Sequence, residues 1–147
     1  MKILEAQNAA LTNVEVYEFL SNQAKEYHSQ KRRGPGNLEA LRKEVLQYFE
    51  SAPGPLSQKP LPYDSSSISV LVKRLHPYNI SKGEFIMLLN IRPTSIPILN
   101  SVIEDMEMRF DAEKQQEIID IIIEVLGQFP LPPEEDGEDE VMQTTEG

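Results

Sequence analysis

The chain has 147 residues, no cysteine and a formal net charge of −10, and 39% of its residues are hydrophobic. This length allows one domain with a modest core, and the lack of cysteine excludes a disulfide framework and a thiolate metal site. No apolar run is long enough to span a membrane, and the N-terminus lacks the apolar core of a signal peptide. We therefore expect a soluble intracellular protein.

The negative charge is concentrated near the C-terminus. Residues 131–147 contain seven of the 24 carboxylates and no basic residue, so the rest of the chain has 17 acidic and 14 basic residues, a net charge of −3. A segment of this composition has little apolar surface to bury, which predicts a disordered acidic tail over 131–147. The nearly neutral remainder argues against an autonomous DNA-binding protein, which would carry a basic face.

The N-terminal third of the chain predicts two helices. Thr12 and Glu15 form a capping box, and Asn37 is the predicted N-cap of the second helix. The first helix either turns its stripe toward the protein's own core or docks on a partner. The basic loop between the helices, residues 31–36, is either solvated, or touches phosphate, or acts as a weak nuclear-import signal, and we favour the solvated loop. The apolar stripes are Val16, Tyr17, Leu20, Ala24 and Tyr27 on the first helix, and Leu38, Leu41, Val45, Tyr48 and Phe49 on the second.

Residues 51–67 contain four prolines, a glycine and a run of three serines. Proline fits neither a helix interior nor a central strand. We predict an extended linker between two helical halves. A third helix follows it and ends at His76-Pro77; its apolar residues are Ile68, Leu71, Val72 and Leu75.

The segment Leu88–Thr94 predicts a corner between two helices. Ser81 and Glu84 form a second capping box upstream, and Asn90 is the predicted stop of that helix because asparagine tolerates the left-handed conformation. Pro93 disfavours the α conformation at Arg92. The guanidinium of Arg92 can bond exposed carbonyls or a carboxylate at such a corner. Asn90, Arg92 and Pro93 are thus predicted to fix the geometry of the helix corner, and no catalytic role is predicted for them.

Two helices are predicted after this corner. One begins at Thr94 or Ser95 and continues through Phe110, with apolar residues spaced three and four apart. The last helix spans residues 111–129 with Asp111 as its N-cap, and the steps of three and four between its polar residues favour a helix over a strand. Its apolar residues cover most of the circumference, so we expect Ile118 and Ile122 to lie in the core.

No catalytic, cofactor-binding or metal-binding residue is predicted. The two histidines, His28 and His76, lie in different segments without a second ligand at metal-binding spacing. Phosphate loops, dinucleotide fingerprints and nucleophile elbows are also missing from the sequence. We therefore expect a non-enzymatic, all-helical interaction protein.

Two sequence blocks resemble the family of the small stalk subunit of eukaryotic RNA polymerase III, also described as the calcitonin-gene-related-peptide receptor component. The family is related to the small stalk subunits of RNA polymerase II and archaeal polymerase. The first block runs from Asn8 to Val16 and on to Leu20. The second comprises Ile80–Glu84, Leu88–Ser95, Ile103-Glu104 and Arg109. The chain departs from the family pattern in its proline-rich linker and in Gly83, where alanine is expected.

Composition, which predicts the linker and the tail, and the resemblance together divide the chain into four parts. Residues 1–50 would associate with a larger, β-rich stalk subunit, 51–67 would be the linker, 68–130 an HRDC-like helical bundle and 131–147 the tail. The N-terminal segment is expected to add as a strand to the partner's sheet. The expected partner-binding residues are Ile3, Leu4, Leu11, Val16, Leu20 and Ala24.

The resemblance also implies a nuclear, non-catalytic subunit. The heterodimer would bind the polymerase core and help recruit the initiation factor that contains TATA-box-binding protein to transfer-RNA and 5S ribosomal RNA genes. Direct contact with nucleic acid would be weak at most, and contact with a membrane is not expected. Two alternatives are a free-standing HRDC-like nucleic-acid module, disfavoured by the net charge of −3, and a receptor-coupling adaptor, for which lipidation and membrane-binding motifs are lacking.

Overall fold

The computed structural model describes residues 4–5, 8–31 and 34–130, so the predicted tail lies outside the described residues. Within these ranges the regular structure is entirely helical, which confirms the all-α prediction. Two single-turn 3₁₀ helices cover Pro55–Ser57 and His76–Tyr78. The α-helices are α1 (Asn13–Ser29), α2 (Gly36–Glu50), α3 (Ser66–Leu75), α4 (Lys82–Ile91), α5 (Ile96–Asn100), α6 (Met106–Arg109) and α7 (Ala112–Leu126).

Helix α7 lies at the centre of the core. Its residues Ile118, Ile122 and Leu126 are fully buried, as the sequence predicted for the two isoleucines. Helix α3 runs antiparallel along it, because Arg74 pairs with Glu124 while Tyr78, further along the chain, donates to Glu117. The other apolar residues of the core with at most 2% exposure are Val14, Leu71, Leu75, Leu88, Leu89, Leu99, Ile103, Met106 and Ile119.

Three of the predicted helix starts are confirmed. Thr12 with Glu15 and Ser81 with Glu84 form complete capping boxes, and the Asp111 side chain accepts from the Lys114 N–H. The prediction that Asn37 caps the second helix is wrong, since α2 begins at Gly36 after Pro35. The Asn37 amide oxygen instead accepts from the N–H of the next residue at 3.0 Å.

The single helix predicted between the corner and Phe110 is broken. A loop separates α5 from α6 and includes Asp105 in the left-handed region (φ 51°). The Ser101 hydroxyl donates to the Ile98 carbonyl at 2.6 Å, which gives the backbone an alternative to continuing the helix. The apolar residues at helical spacing, Leu99, Ile103 and Phe110 among them, are nevertheless buried.

The segment 51–67 packs on the helices and does not run as an extended linker. Two of its side chains are buried: Leu56, in the first 3₁₀ turn, is 5% exposed, and Tyr63 is 6% exposed. The prolines predicted an extended linker, and composition alone did not show that these two apolar side chains would reach the core. The division into domains remains a prediction, but the segment belongs to the packed structure.

Glu84 and Arg109 join the start of α4 to the end of α6. Their side chains pair at 2.5 Å, and the Glu84 carboxylate also accepts from the backbone N–H groups of Ser81 and Glu104. Burial by itself raises the pKa of Glu84, but the hydrogen bonds from Arg109 and Ser81 outweigh it and lower this pKa from 4.5 to about 2. The ionised carboxylate therefore stabilises the fold.

We expect the stabilisation from the Glu84–Arg109 pair to be lost at low pH, over a defined pH range. Because the folded pKa is depressed, the stabilisation is complete above pH 4.5 and is lost as the pH falls toward about 2. Glu84→Gln should lower the free energy of unfolding at neutral pH, and the difference from the wild type should shrink across this range in urea titrations. The control is Glu44→Gln on the exposed side of α2. A difference that does not change with pH would contradict this assignment.

Ile122→Asp should unfold the protein. The change places an unpaired carboxylate in a fully buried site, at a cost of several kcal/mol, about the whole stability of a small domain. Loss of helical circular dichroism at room temperature would show it. Met108→Asp, at a side chain that is 89% exposed, should leave the spectrum and melting temperature nearly unchanged. A folded Ile122→Asp variant would mean that α7 does not carry the core.

Candidate protein-interaction site

Helices α1 and α2 form an antiparallel hairpin that is attached to the body along one side. Near its base Tyr17 donates to Glu50 at 2.8 Å, and near its tip the Arg42 guanidinium lies 5.3 Å from the Tyr27 ring centre. Val14, at 2% exposure, enters the core. One turn later Glu18 accepts from the Ser65 N–H at 2.9 Å. The side of α1 that contains Val14 and Glu18 therefore faces the rest of the protein.

The opposite side of the hairpin is apolar and uncovered. Phe19, Leu41 and Tyr48 are 63%, 58% and 76% exposed, and no described residue of α2 is buried. Helical spacing places Val16 beside Phe19, and Val45 beside Leu41 and Tyr48. Helical spacing places the α1 stripe on the side of the helix away from Glu18, and we infer that the α2 stripe adjoins it on the same surface of the hairpin. We call Val16, Phe19, Leu41, Val45 and Tyr48 the hairpin face.

A pocket of about 450 Å³ continues the hairpin face at its base. Tyr48 and Phe49 form one wall, and Pro53, Pro55 and Leu56 of the following segment form another. Such a pocket can hold an apolar side chain of a partner next to the exposed ring of Tyr48. Exposed apolar surface of this extent, adjoining a pocket, is typical of a protein-interaction site.

The predicted partner-binding residues are only partly on this surface. Ile3 lies outside the described residues, while Leu4 and Leu11 are 91% and 57% exposed. Val16, Leu20 and Ala24 are half-buried in the hairpin. The partner-binding residues predicted from the sequence did not include the exposed Phe19 of α1, or Leu41 and Tyr48 of α2. The apolar stripe of α2 was visible in the sequence, but nothing there showed that the folded chain leaves it uncovered.

The predicted corner is built around a buried guanidinium. Arg92 is 1% exposed, and its two terminal nitrogens donate to four oxygens. Nη1 donates to the Pro55 carbonyl at 2.9 Å, and Nη2 to the Gln58 side chain at 2.9 Å. Nη2 also reaches the carbonyls of Leu126 and Gly127 at 2.7 and 3.1 Å. Arg92 thereby joins the end of α4 to the 51–67 segment and to the end of α7.

No carboxylate pairs with Arg92 among the described residues. The guanidinium lies 4.9 Å from the Tyr63 ring centre and 5.2 Å from that of Phe129, so its charge is balanced by carbonyl dipoles and aromatic faces. Burial lowers the pKa of Arg92, and burial likewise raises the pKa of Tyr63. The cation is suited to holding backbone together, because a partner has no access to it.

The backbone at the corner differs from the prediction in one detail. Helix α4 continues past Asn90, and Arg92 is the residue in the left-handed region (φ 53°). The Asn90 side chain instead contacts the first helix, where its amide oxygen accepts from the Asn13 N–H at 2.8 Å and so caps the start of α1. Gly127 is required nearby, because at φ 78° an added Cβ would lie 2.8 Å from Pro62.

The described residues contain neither a helix able to cross a membrane nor a group of side chains arranged to bind a metal ion. What they define is an all-helical structure with large apolar side chains exposed on its N-terminal hairpin. The chain belongs to the RNA polymerase Rpb4 family, whose model matches residues 10–126. It is also 30% identical over 140 residues to "DNA-directed RNA polymerase III subunit rpc9" of Schizosaccharomyces pombe, covering 88% of this chain and all of that relative.

Arg92→Lys should destabilise the protein even though it keeps the charge. An ammonium cannot reproduce the forked geometry that reaches both the 51–67 segment and the end of α7, and carbonyls left unpaired in the interior cost about 2 kcal/mol or more. Chemical denaturation should show this loss. Arg74→Lys is the matched control, because Arg74 is half-exposed and its pair with Glu124 lies at the surface. Equal small effects at both positions would show that the corner does not depend on the guanidinium.

Proposed function

We propose that this protein is the small, non-catalytic stalk subunit of RNA polymerase III and forms a heterodimer with a larger, β-rich stalk subunit. Membership of the Rpb4 family and the similarity to the fission-yeast subunit over the whole length of that relative support this proposal. The observation that carries it is the hairpin face, on which the large apolar side chains of Phe19, Leu41 and Tyr48 are left exposed by the described residues. A protein that works alone in water rarely retains such a surface.

The heterodimer would use the hairpin face together with the N-terminal segment. Leu11 is exposed directly before α1, on the chain that leads from the N-terminus into the hairpin. Residues around Ile3 and Leu4 would add as a strand to the edge of the partner's sheet, where backbone hydrogen bonds supply affinity. The exposed Phe19 and Leu41 would make the main apolar contacts with the partner. The half-buried Val16, Leu20 and Ala24 would lie at the edge of this contact.

In this proposal the heterodimer acts in the nucleus, bound to the polymerase core. There it would help recruit the initiation factor that contains TATA-box-binding protein to transfer-RNA and 5S ribosomal RNA genes. The negative charge of the chain favours contacts with proteins over direct contact with the DNA backbone. Any direct binding of nucleic acid is expected to be weak.

The proposal is tested by purifying the tagged full-length chain from cells and identifying the proteins bound to it. The larger stalk subunit and the polymerase core should co-purify with the wild type. Leu41→Asp should reduce their recovery by about tenfold, because it places a carboxylate in the centre of an apolar contact. Val70→Asp is the control: Val70 is similarly exposed, at 47% against 58% for Leu41, but lies on α3.

Two results would contradict the proposal in different ways. If no polymerase subunit co-purifies with the wild-type chain, the assignment to the polymerase stalk is overturned. If Leu41→Asp retains its partners while its circular dichroism stays native, the assignment to the polymerase stands and the hairpin face is not the docking surface.

A further inference from the structure

We propose that a second surface of this protein, between α3 and α4, binds a short peptide of a partner protein in which an apolar side chain is flanked by carboxylates. A pocket of about 350 Å³ lies where α3, the second 3₁₀ turn and the start of α4 meet. It lies on the helices of the C-terminal half, and the hairpin face contributes no residue to it. The lining residues are Val72, Leu75, His76, Asn79, Ile80, Lys82 and Phe85.

The floor of the pocket is apolar. Leu75 is buried in the core, Ile80 and Phe85 are half-buried, and Val72 is 44% exposed at the edge. A volume of this size accommodates one or two apolar side chains. The apolar part of the ligand would therefore be a leucine, isoleucine, methionine or phenylalanine placed against Val72 and Phe85.

The mouth of the pocket carries the positive charge of the exposed Lys82, although the chain as a whole is acidic. Lys82 and His76 are the titratable residues of the lining, which includes no carboxylate. Lys82 forms no ion pair among the described residues. The nearest acidic residue along the helix, Glu84, is already held by Arg109 and by backbone N–H groups. The positive charge at the mouth is therefore available to a ligand.

The start of α4 adds donors to this charge. The first four N–H groups of a helix have no partner within the helix. The Ser81–Glu84 capping box satisfies those of Ser81 and Glu84 and leaves those of Lys82 and Gly83. The side-chain position of Gly83 is also open, since an added Cβ there would have nothing within 4 Å among the described residues. A carboxylate beside the pocket would accept from these groups and pair with Lys82.

These observations together select the ligand. The apolar floor requires an apolar side chain, and the lysine with two open N–H groups at its edge favours a neighbouring aspartate or glutamate. A nucleic acid would satisfy the charge but not the apolar floor. We infer a partner protein that presents an acidic and apolar linear segment, a contact separate from the proposed heterodimer.

The experiment selects displayed random peptides on the immobilised full-length chain. Sequences with an apolar residue next to carboxylates should be enriched. The affinity of a selected peptide should fall about tenfold in Val72→Asp and about fivefold in Lys82→Glu. The controls are Val70→Asp, with nearly the same exposure on the same helix, and Lys25→Glu on α1. Both should bind like the wild type, and circular dichroism should show that all four variants are folded.

Each other result overturns the proposal. Enrichment of no sequence, or binding that Val70→Asp weakens as much as Val72→Asp, would show that the pocket is not a binding site. Selection of basic or uncharged apolar sequences would show that the charge at the mouth does not choose the ligand. If truncation after Pro130 strengthens peptide binding and a peptide of residues 131–147 competes for the site, the occupant is the chain's own tail and not a partner. Failure of the polymerase subunits to co-purify leaves this test unaffected.

Discussion

The fold depends on a cation that is buried without a counter-ion among the described residues. Desolvating a guanidinium is costly unless its donors are used. Arg92 uses both terminal nitrogens, on the Gln58 amide and on carbonyls from the 51–67 segment and the end of α7, while its buried Nε has no hydrogen-bond partner among the described residues. Carbonyls at a helix end have no partner inside the helix, so the arginine satisfies the end of α7 while it removes its own charge from water. One side chain thereby sets the relative positions of three segments far apart in sequence.

This arrangement explains why a proline-rich segment can be part of a packed structure. Prolines 53, 55, 60 and 62 lack N–H groups and cannot form a ladder or a helix interior. The segment is instead held by its carbonyls and by two apolar side chains, Leu56 in the core and Tyr63 against the arginine. Gly127 lets the end of α7 approach Pro62 closely. Composition alone could not show that the segment packs, because the packing depends on where the side chains of Leu56 and Tyr63 lie in the folded chain.

Local signals in the sequence predicted where most helices begin, but they were less informative about which helix faces other elements cover. The capping boxes at Thr12 and Ser81 depend on contacts three residues apart, so they could be read directly from the chain. The burial of Ile122 followed from the apolar circumference of its helix. Asn90 was misplaced because its partner, Asn13, is 77 residues away. The exposure of Leu41 and Tyr48 was likewise invisible, since a stripe on one helix does not reveal whether another element covers it.

The hydrogen bond between Asn90 and Asn13 has a consequence for how the two halves of the molecule communicate. It caps the first turn of α1 with a side chain located two residues before the buried arginine. Consider a ligand that binds more tightly when α1 is packed against the other helices than when it is detached. The ligand stabilises the packed conformation by the difference between its two binding free energies. By reciprocity, such a ligand and any second ligand that stabilises the bound position of α1 would raise each other's affinity by the same factor. The hydrogen bond between Asn13 and Asn90 is the contact through which the corner would take part in this linkage.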